Sequence, residues 1–284
     1  MTAAAKKLDT TGIMEVGIKV RRMDFEFGDA IPDYWYGNDA LLTLFLTALS
    51  ATFPEGEKQF IQSVRNFQEQ ITDPELRKQI RAFIGQEAHH SKEHDALNDL
   101  MKRKGFSVLR IEKRMTKMAQ WMRDNWSPER QLANTVCAEH ITAIMADFFM
   151  TKSPQELEKL HPQVRKIWAW HVIEETEHKA VAFDVYQRTV DDQWLRRSQM
   201  ALLTALFVLE TATSTVQLLR DTDQLTNWKM WLNGTRYFWG RKGMVWKLLP
   251  EYLDFYKKDF HPWQHDRLAD LETIKQKYLE IGER

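Results

Sequence analysis

Apolar residues recur every three or four positions through most of this chain, and nowhere after residue 30 do they alternate with polar ones between turn signals. The pattern predicts an all-α fold. The first periodic stretch follows Gly37: Asn38 or Asp39 can cap ALLTLFLTALSATF, which leads through Pro54 into EGEKQFIQSVRNFQEQ. Pro54 either kinks one helix or begins a second. Asp73, Pro74 and Glu75 read as cap, first position and first-turn acid of the next helix, which Gly105 should stop. LRIEKRMTKMAQWM forms an amphipathic helix of its own. Ser127 and Pro128 open another that lasts to about Lys152, Ser153 and Pro154 mark a short turn, and Pro162 opens the last of the series. The stretch from Val164 to Val190 holds no Gly or Pro and reads as one helix. Residues 1–36 read as an arm in which IKVRRMDFEF is a short extended piece. Residues 37–192 hold the helices just described, and residues 193–284 read as a helical, aromatic-rich extension packed on them.

Several acids and histidines fall on the apolar stripes. Glu57 is in phase with Phe53, Phe60 and Val64, whereas Glu55 lies about 200° around the helix. Glu87 and His90 are at i, i+3; Glu139 sits among Val136, Cys137, Ile141 and Ile144; His171, Glu175 and His178 are at i, i+4, i+7, one above another on one face. Each pair alone could be a solvated surface pair. Together, two ExxH pairs and a lone Glu on each of two other helices form the ligand set of a di-iron or di-manganese site in a ferritin-like four-helix bundle, and the 109–122 segment supplies the long crossover. Four carboxylates also balance two divalent cations when the histidines bind as neutral imidazoles. Gln86 and Glu174 each precede an ExxH glutamate, where they could orient ligating imidazoles. His94, one turn beyond His90, is expected beside the site, while His89 and His140 point elsewhere and are read as structural.

Composition narrows the setting. Lys+Arg and Asp+Glu are equal at 40 each, so nothing argues for a nucleic-acid partner. Cys137 is the one cysteine, which excludes an internal disulfide framework and fits a reducing compartment. MTAAAKKLDTTG has no apolar core of a secretory signal, so a cytoplasmic location is expected. Ser198 to Leu209 is uncharged, and after Glu210 a second uncharged run continues to Leu219. A spanning helix needs roughly 20 apolar residues. With Glu210 near the middle, a buried helix or a hydrophobic substrate wall is the preferred reading. Trp228 to Trp246 interleaves Trp231, Tyr237, Phe238 and Trp239 with Lys229, Arg236, Arg241 and Lys242. Such a region either packs as an ordinary amphipathic segment or seats a protein peripherally on a membrane. In FHPWQHD, Pro262 separates His261 from His265, and a structural turn is expected.

The seven-residue set Glu57, Glu87, His90, Glu139, His171, Glu175 and His178, with its HxxxExxH helix, resembles the di-iron N-oxygenases of the p-aminobenzoate N-oxygenase type, in which His171 would match their third histidine. Outside the ligands the departure is large, so arylamine substrates are not implied. FPEGE, the EAHH stretch, EETEHKAVAFD and FHPWQHD resemble, from about residue 20 to 270, a bacterial family of predicted metal-dependent hydrolases. The expectation drawn from residues and resemblance is a non-haem di-iron oxygenase holding two iron ions, with a manganese–iron pair as the other form. Its partners would be O2, an external electron donor and an organic, lipid-like or aromatic small molecule, and a homodimer is one assembly open to it. A di-metal hydrolase is the alternative, and an iron-oxidising ferroxidase is a third reading.

Overall fold

The computed structural model describes residues 17–279, in which helices account for nearly all regular structure and the one β contact is an isolated bridge between Tyr36 and Leu160. The chain is all-α. Residues 1–16 of the expected arm, with the signal-free N-terminus, and residues 280–284 of the extension lie outside the described residues.

α1 (Ala40–Arg65) starts where the Asp39 carboxylate accepts from Leu42 N–H and runs unbroken through Pro54, so the choice left open there resolves to one helix. α2 (Pro74–Arg103) is capped by Asp73 on Leu76 N–H with Pro74 in its first turn. It ends before Gly105, whose φ of +91° suits glycine alone at that position. α3 (Val108–Asn125) and α4 (Pro128–Asp147) follow; α4 closes in a π-helical turn over Phe148–Lys152. After the short α5 (Gln155–Glu158), α6 (Pro162–His178) stops well before Val190, and α7 (Val181–Thr189) resumes after a break. The single 164–190 helix is thereby corrected. No Gly or Pro marks the break. It falls where the buried Lys179 donates to the His265 carbonyl at 2.6 Å across the Trp263 ring, a contact made only by a distant part of the chain. α8 (Gln193–Arg220), α9 (Trp228–Trp239), α10 (Met244–Asp254) and α11 (Leu268–Tyr278) complete the described chain.

α1, α2, α6 and α4 pack in a closed ring, each against the next. Their apolar residues fall into two main clusters, one around Leu44, Leu97, Ile167 and Trp170, the other around Val64, Phe83, Leu132 and Val185. α1 and the α6–α7 pair pass from the first cluster to the second, and α2 and α4 pass the other way. The ring helices α2 and α4, successive in chain order among the four, are therefore parallel, so the chain must travel back the length of the ring between them. α3, about 27 Å long at 1.5 Å per residue, makes that return, packing on α1. α8 then lies along α1 and α4, α9 against α1, α10 against α4 and α11 against α6.

The IKVRRMDFEF segment forms no strand. Its backbone bonds side chains instead: Asp24 and Phe25 N–H both donate to the buried Glu93 carboxylate of α2, at 2.9 and 2.7 Å. Replacing Glu93 with Ala removes two charge-assisted bonds and should cost about 1–3 kcal/mol. Denaturant unfolding measures the loss, and limited proteolysis should show faster cleavage within residues 17–28; unchanged values in both would show that the segment is held elsewhere.

Candidate metal centre

The polar layer lies between the two apolar clusters, where α1, α2 and α4 contribute from their interiors and α6 from its C-terminal half. Glu57 comes from α1, Glu87 and His90 from α2, Glu139 from α4, and His171, Glu175 and His178 from α6; all seven are buried. The structure brings them together. His178 Nε2 stands 3.1 Å from Glu87 Oε1, 3.5 Å from Glu139 Oε2 and 3.6 Å from Glu175 Oε1. His90 Nδ1 lies 3.6 Å from Glu87 Oε1 and 3.5 Å from Glu175 Oε1, and His171 Nε2 lies 3.2 Å from Glu175 Oε1. Glu57 converges with Glu87 and His90 in one donor group and with His94 and His171 in another. Glu87 and Glu175 are thus shared among imidazoles, while Glu57 and Glu139 sit to the sides.

Both carboxylate oxygens of Glu57, Glu87 and Glu139 are buried without a hydrogen-bond donor, as is Glu175 Oε2; His90 Nδ1 and His178 Nε2 are likewise unpartnered. An ionised carboxylate in that condition costs several kcal/mol. The donor set fits divalent metal, which would satisfy these atoms at once. Without one, burial and the neighbouring charge of Glu87 push the Glu57 carboxyl well up, and burial with Glu87 and Glu175 does the same to Glu139. Burial also opposes ionisation of Glu175, but the neighbouring His178 outweighs it and holds that carboxyl well down.

Three of the expected supporting residues surround this layer. Gln86 Oε1 accepts from His178 Nδ1–H at 2.8 Å, which points Nε2 into the cluster. The Glu174 carboxylate lies 3.2 Å from His90 Nε2, turning Nδ1 inward. His94 is buried rather than exposed, and its hydrogen bonds define a tautomer chain. Asn98 Nδ2 donates to the Ser50 carbonyl, so its Oδ1 receives the Ser50 hydroxyl at 2.8 Å. Ser50 Oγ can then only accept from His94 Nδ1–H at 2.9 Å, and neutral His94 Nε2 accepts from His171 Nδ1–H at 2.9 Å. His171 Nε2 is left with its lone pair facing Glu175. Burial, with the neighbouring histidine charges, holds both His94 and His171 below the usual imidazole range and keeps the chain neutral.

A second ring of charges was not anticipated. Arg21, from the extended segment, binds Glu174 at 3.0 Å and Glu177 at 2.9 and 2.7 Å; Glu177 accepts from Gln86 Nε2 at 2.8 Å and pairs with Lys275 of α11 at 2.9 Å. Hydrogen bonds therefore run from His178 through Gln86, Glu177 and Arg21 to Glu174, whose carboxylate lies 3.2 Å from His90. Glu177 carried a faint signal, as a third acid in EETEH. Arg21 and Lys275 carried none, because their relevance depends on distant segments meeting.

A cavity of about 130 Å³ reaches the cluster. Glu57, His171 and Glu175 form part of its wall, and the remainder is mostly apolar: Phe53 and Phe60 of α1, Met115 and Met122 of α3, Ile141 of α4, Phe207 of α8. No Lys or Arg lines it. FHPWQHD does not border this cavity. Pro262–Gln264 form a 3₁₀ turn in which His261 bonds Asp184 at 3.1 Å and His265 lies 3.1 Å from Asp254, so the segment is structural. His140 is structural as well, stacked near Phe255 and bonded to the Glu251 carbonyl at 3.1 Å. The buried Cys137 thiol is pushed up by burial and remains a free thiol.

The core of this all-α chain thus holds a converging Glu/His cluster able to hold metal, beside an apolar cavity. The chain belongs to the family described as predicted metal-dependent hydrolases, whose model matches residues 19–266. No curated protein and no solved structure matches it. The family description supports metal-dependent hydrolysis, the alternative among the expectations above, and lends none to oxygen activation or iron.

Two outcomes follow from the geometry. Gln86→Leu leaves His178 free to turn and should weaken divalent-metal binding about 10- to 100-fold, measured by competition with a chromophoric chelator; unchanged affinity would show that Gln86 does not orient His178. The second concerns pH. Above about pH 7, His94 and His171 are neutral both folded and unfolded and contribute no slope. Glu57 and Glu139 hold protons in the fold, and His90 and His178, where Glu174, Glu87 and Glu175 outweigh burial, are held above the usual imidazole range. At these cluster groups the folded state binds more protons than the unfolded, while Lys179, pushed down to about 8 by burial, acts the other way with or without metal, so chelator-stripped protein should lose stability relative to metal-saturated protein as pH rises from 7 toward 9. Urea unfolding of both forms across that window tests this, with no widening of the gap between them as the contrary result.

Proposed function

We propose that the chain is a di-metal enzyme of ferritin-like architecture that holds two iron ions on Glu57, Glu87, His90, Glu139, His171, Glu175 and His178 and uses dioxygen to oxidise an apolar organic substrate. The observation that carries this reading is that Glu57, His171 and Glu175 belong both to the buried donor cluster and to the wall of the apolar cavity. Bound iron would supply the electrons that reduce dioxygen, and an external donor would restore them. The chain's own residues do the rest. Glu87 and Glu175, each close to several imidazole nitrogens, suit shared ligands; Glu57 and Glu139 suit terminal ones. Phe53, Ile141 and Phe207 seat the substrate by apolar contact and exclude water beside the donors. The Asn98–Ser50–His94 chain holds His171 as a neutral donor, and the Arg21 ring fixes the two ExxH histidines.

Two-metal hydrolysis is the second reading, favoured by the family's description. Two ions can activate water and polarise an ester or phosphoester. Against it stands the cavity itself. It has no Lys or Arg to meet a developing anion, and its acids outside the cluster are Glu55 and Glu210, the latter paired with Arg114 at 2.6 Å.

Anaerobic loading with ferrous iron, counting metal per chain, followed by rapid mixing with oxygenated buffer separates the two. Two irons per chain, oxygen uptake and a transient visible absorption support oxidation. Two bound ions with no oxygen reaction, together with ester or phosphoester cleavage by the zinc or manganese form, would replace it with hydrolysis. Glu139→Ala should lose at least one metal per chain; full retention would remove Glu139 from the ligand set.

A further inference from the structure

α8 has two unlike faces. Its inner side packs on α1 and α4 and contributes Leu203 and Phe207 to the cavity. Its outer side is a solvent-facing stripe of Ala201, Leu202, Ala205, Val208, Leu209 and Ala212. From Ser198 to Thr213, about 24 Å of helix at 1.5 Å per residue, this face presents no charge. Two of the nearby charges are turned away, since Glu210 binds Arg114 and Ser214 at 2.6–3.0 Å on the α3 side and Arg196 donates inward to the Phe255 and Lys257 carbonyls, while Arg197 adds a partly exposed positive charge at the N-terminal end of the stripe. A helix face in contact with water ordinarily carries charge. Here Val208 and Leu209 are 59% and 61% exposed. By length and composition α8 could cross a bilayer, but its inner face is committed to the bundle.

The next two helices carry a different chemistry. Residues 224–250 contain four tryptophans and five Lys or Arg and no Asp or Glu, in a chain whose net charge is zero. Trp228, Trp239 and Trp246 are exposed, and so are Lys229, Arg236, Arg241 and Lys242. Tyr252 of α10 touches α8 through a 3.0 Å bond to Thr204, which joins the two regions. An uncharged apolar stripe beside exposed tryptophans and unopposed cations is the composition that lies in the interfacial zone of an anionic bilayer.

We propose that the outer face of α8, with the Trp- and Lys/Arg-bearing α9–α10 region, docks on an anionic lipid bilayer surface. Leu206 links this surface to the centre, since it lines the cavity and is also 38% exposed on the stripe. In this proposal an acyl chain leaving the bilayer would enter the cavity beside Leu206 without crossing water. A second copy of this chain seated on the same stripe would cover Leu206 and would leave the basic tryptophan region without a role. The docking does not depend on which reaction the centre performs, because vesicle binding requires no turnover.

The test is sedimentation of the full-length, metal-loaded chain with phosphatidylcholine vesicles, with and without phosphatidylglycerol. The chain should co-sediment with the anionic vesicles, and raised salt should weaken that binding. Val208→Glu with Leu209→Glu should lower partitioning about tenfold or more, and Arg241→Glu with Lys242→Glu should abolish the preference for phosphatidylglycerol. Circular dichroism melts verify that the variants fold, and Trp228→Ala with Trp239→Ala offers a milder pair that should weaken binding severalfold. Wild-type protein that stays in the supernatant with both vesicle types overturns the proposal. So does a dimer in sedimentation velocity that Val208→Glu with Leu209→Glu dissociates while vesicles remain unbound; the occupant would then be a second copy.

Discussion

Seven ionisable side chains must be kept in the middle of an apolar ring, and the rest of the structure is arranged around that demand. Four carboxylates that share a buried layer repel one another and most of their oxygens lack donors, so the layer is unfavourable unless cations occupy it or protons are retained. α1, α2 and α4 answer by continuing through the layer on both sides, and α6 is continued past it by α7. The chain thus gains apolar burial in the cluster above and in the cluster below, which holds the polar middle in register. The backbone of α1, α2, α4 and α6 is hydrogen-bonded within each helix, so no main-chain group competes for the donors.

Rigidity of the imidazoles comes from a further layer of hydrogen bonds, and that layer is assembled from remote parts of the chain. The extended segment contributes Arg21, α11 contributes Lys275, and both meet on Glu177. Neither contact is a surface ion pair of the kind that adds little, because Glu177 is buried and also receives Gln86. The segment before α1 and the last described helix are therefore tied to the same two histidines. On the opposite side, the His94–His171 bond serves the third imidazole through neutral groups alone. One centre thus has a charged support beneath its ExxH histidines and an uncharged one beside the cavity, where an unpaired charge would be least tolerated.

α8 connects the interior with the exterior. Its inner residues wall the cavity and its outer residues face solvent without charge, and the ion pair between Glu210 and Arg114 makes both possible by taking the helix's central acid to the flank. Of the expected buried helix, one face packs on the bundle and lines the cavity while the other is exposed. Exposure of the other follows from position: α8 is laid over α1 and α4 from outside, and the described chain places nothing over it.

Helix identity, most helix ends and the inward acids were legible in the chain because each depends on local rules. Caps at Asp39, Asp73 and Ser127 act within one turn, and Glu57 and Glu139 betray themselves by lying in phase with apolar neighbours. The ExxH spacing places Glu and His on one face of any helix, whatever surrounds it. Contacts across long separations were not legible. The break after His178 depends on the His265 carbonyl, the His94 tautomer on Ser50 and Asn98, and the outer charges on Arg21 and Lys275. Helical periodicity says which face a residue occupies, whereas the partner met by that face is decided only when distant segments pack. The sequence by itself determined an all-α chain with a candidate metal set on four helices, and the tertiary structure alone decided how those side chains are held, which of them reach the cavity and which face of α8 remains open.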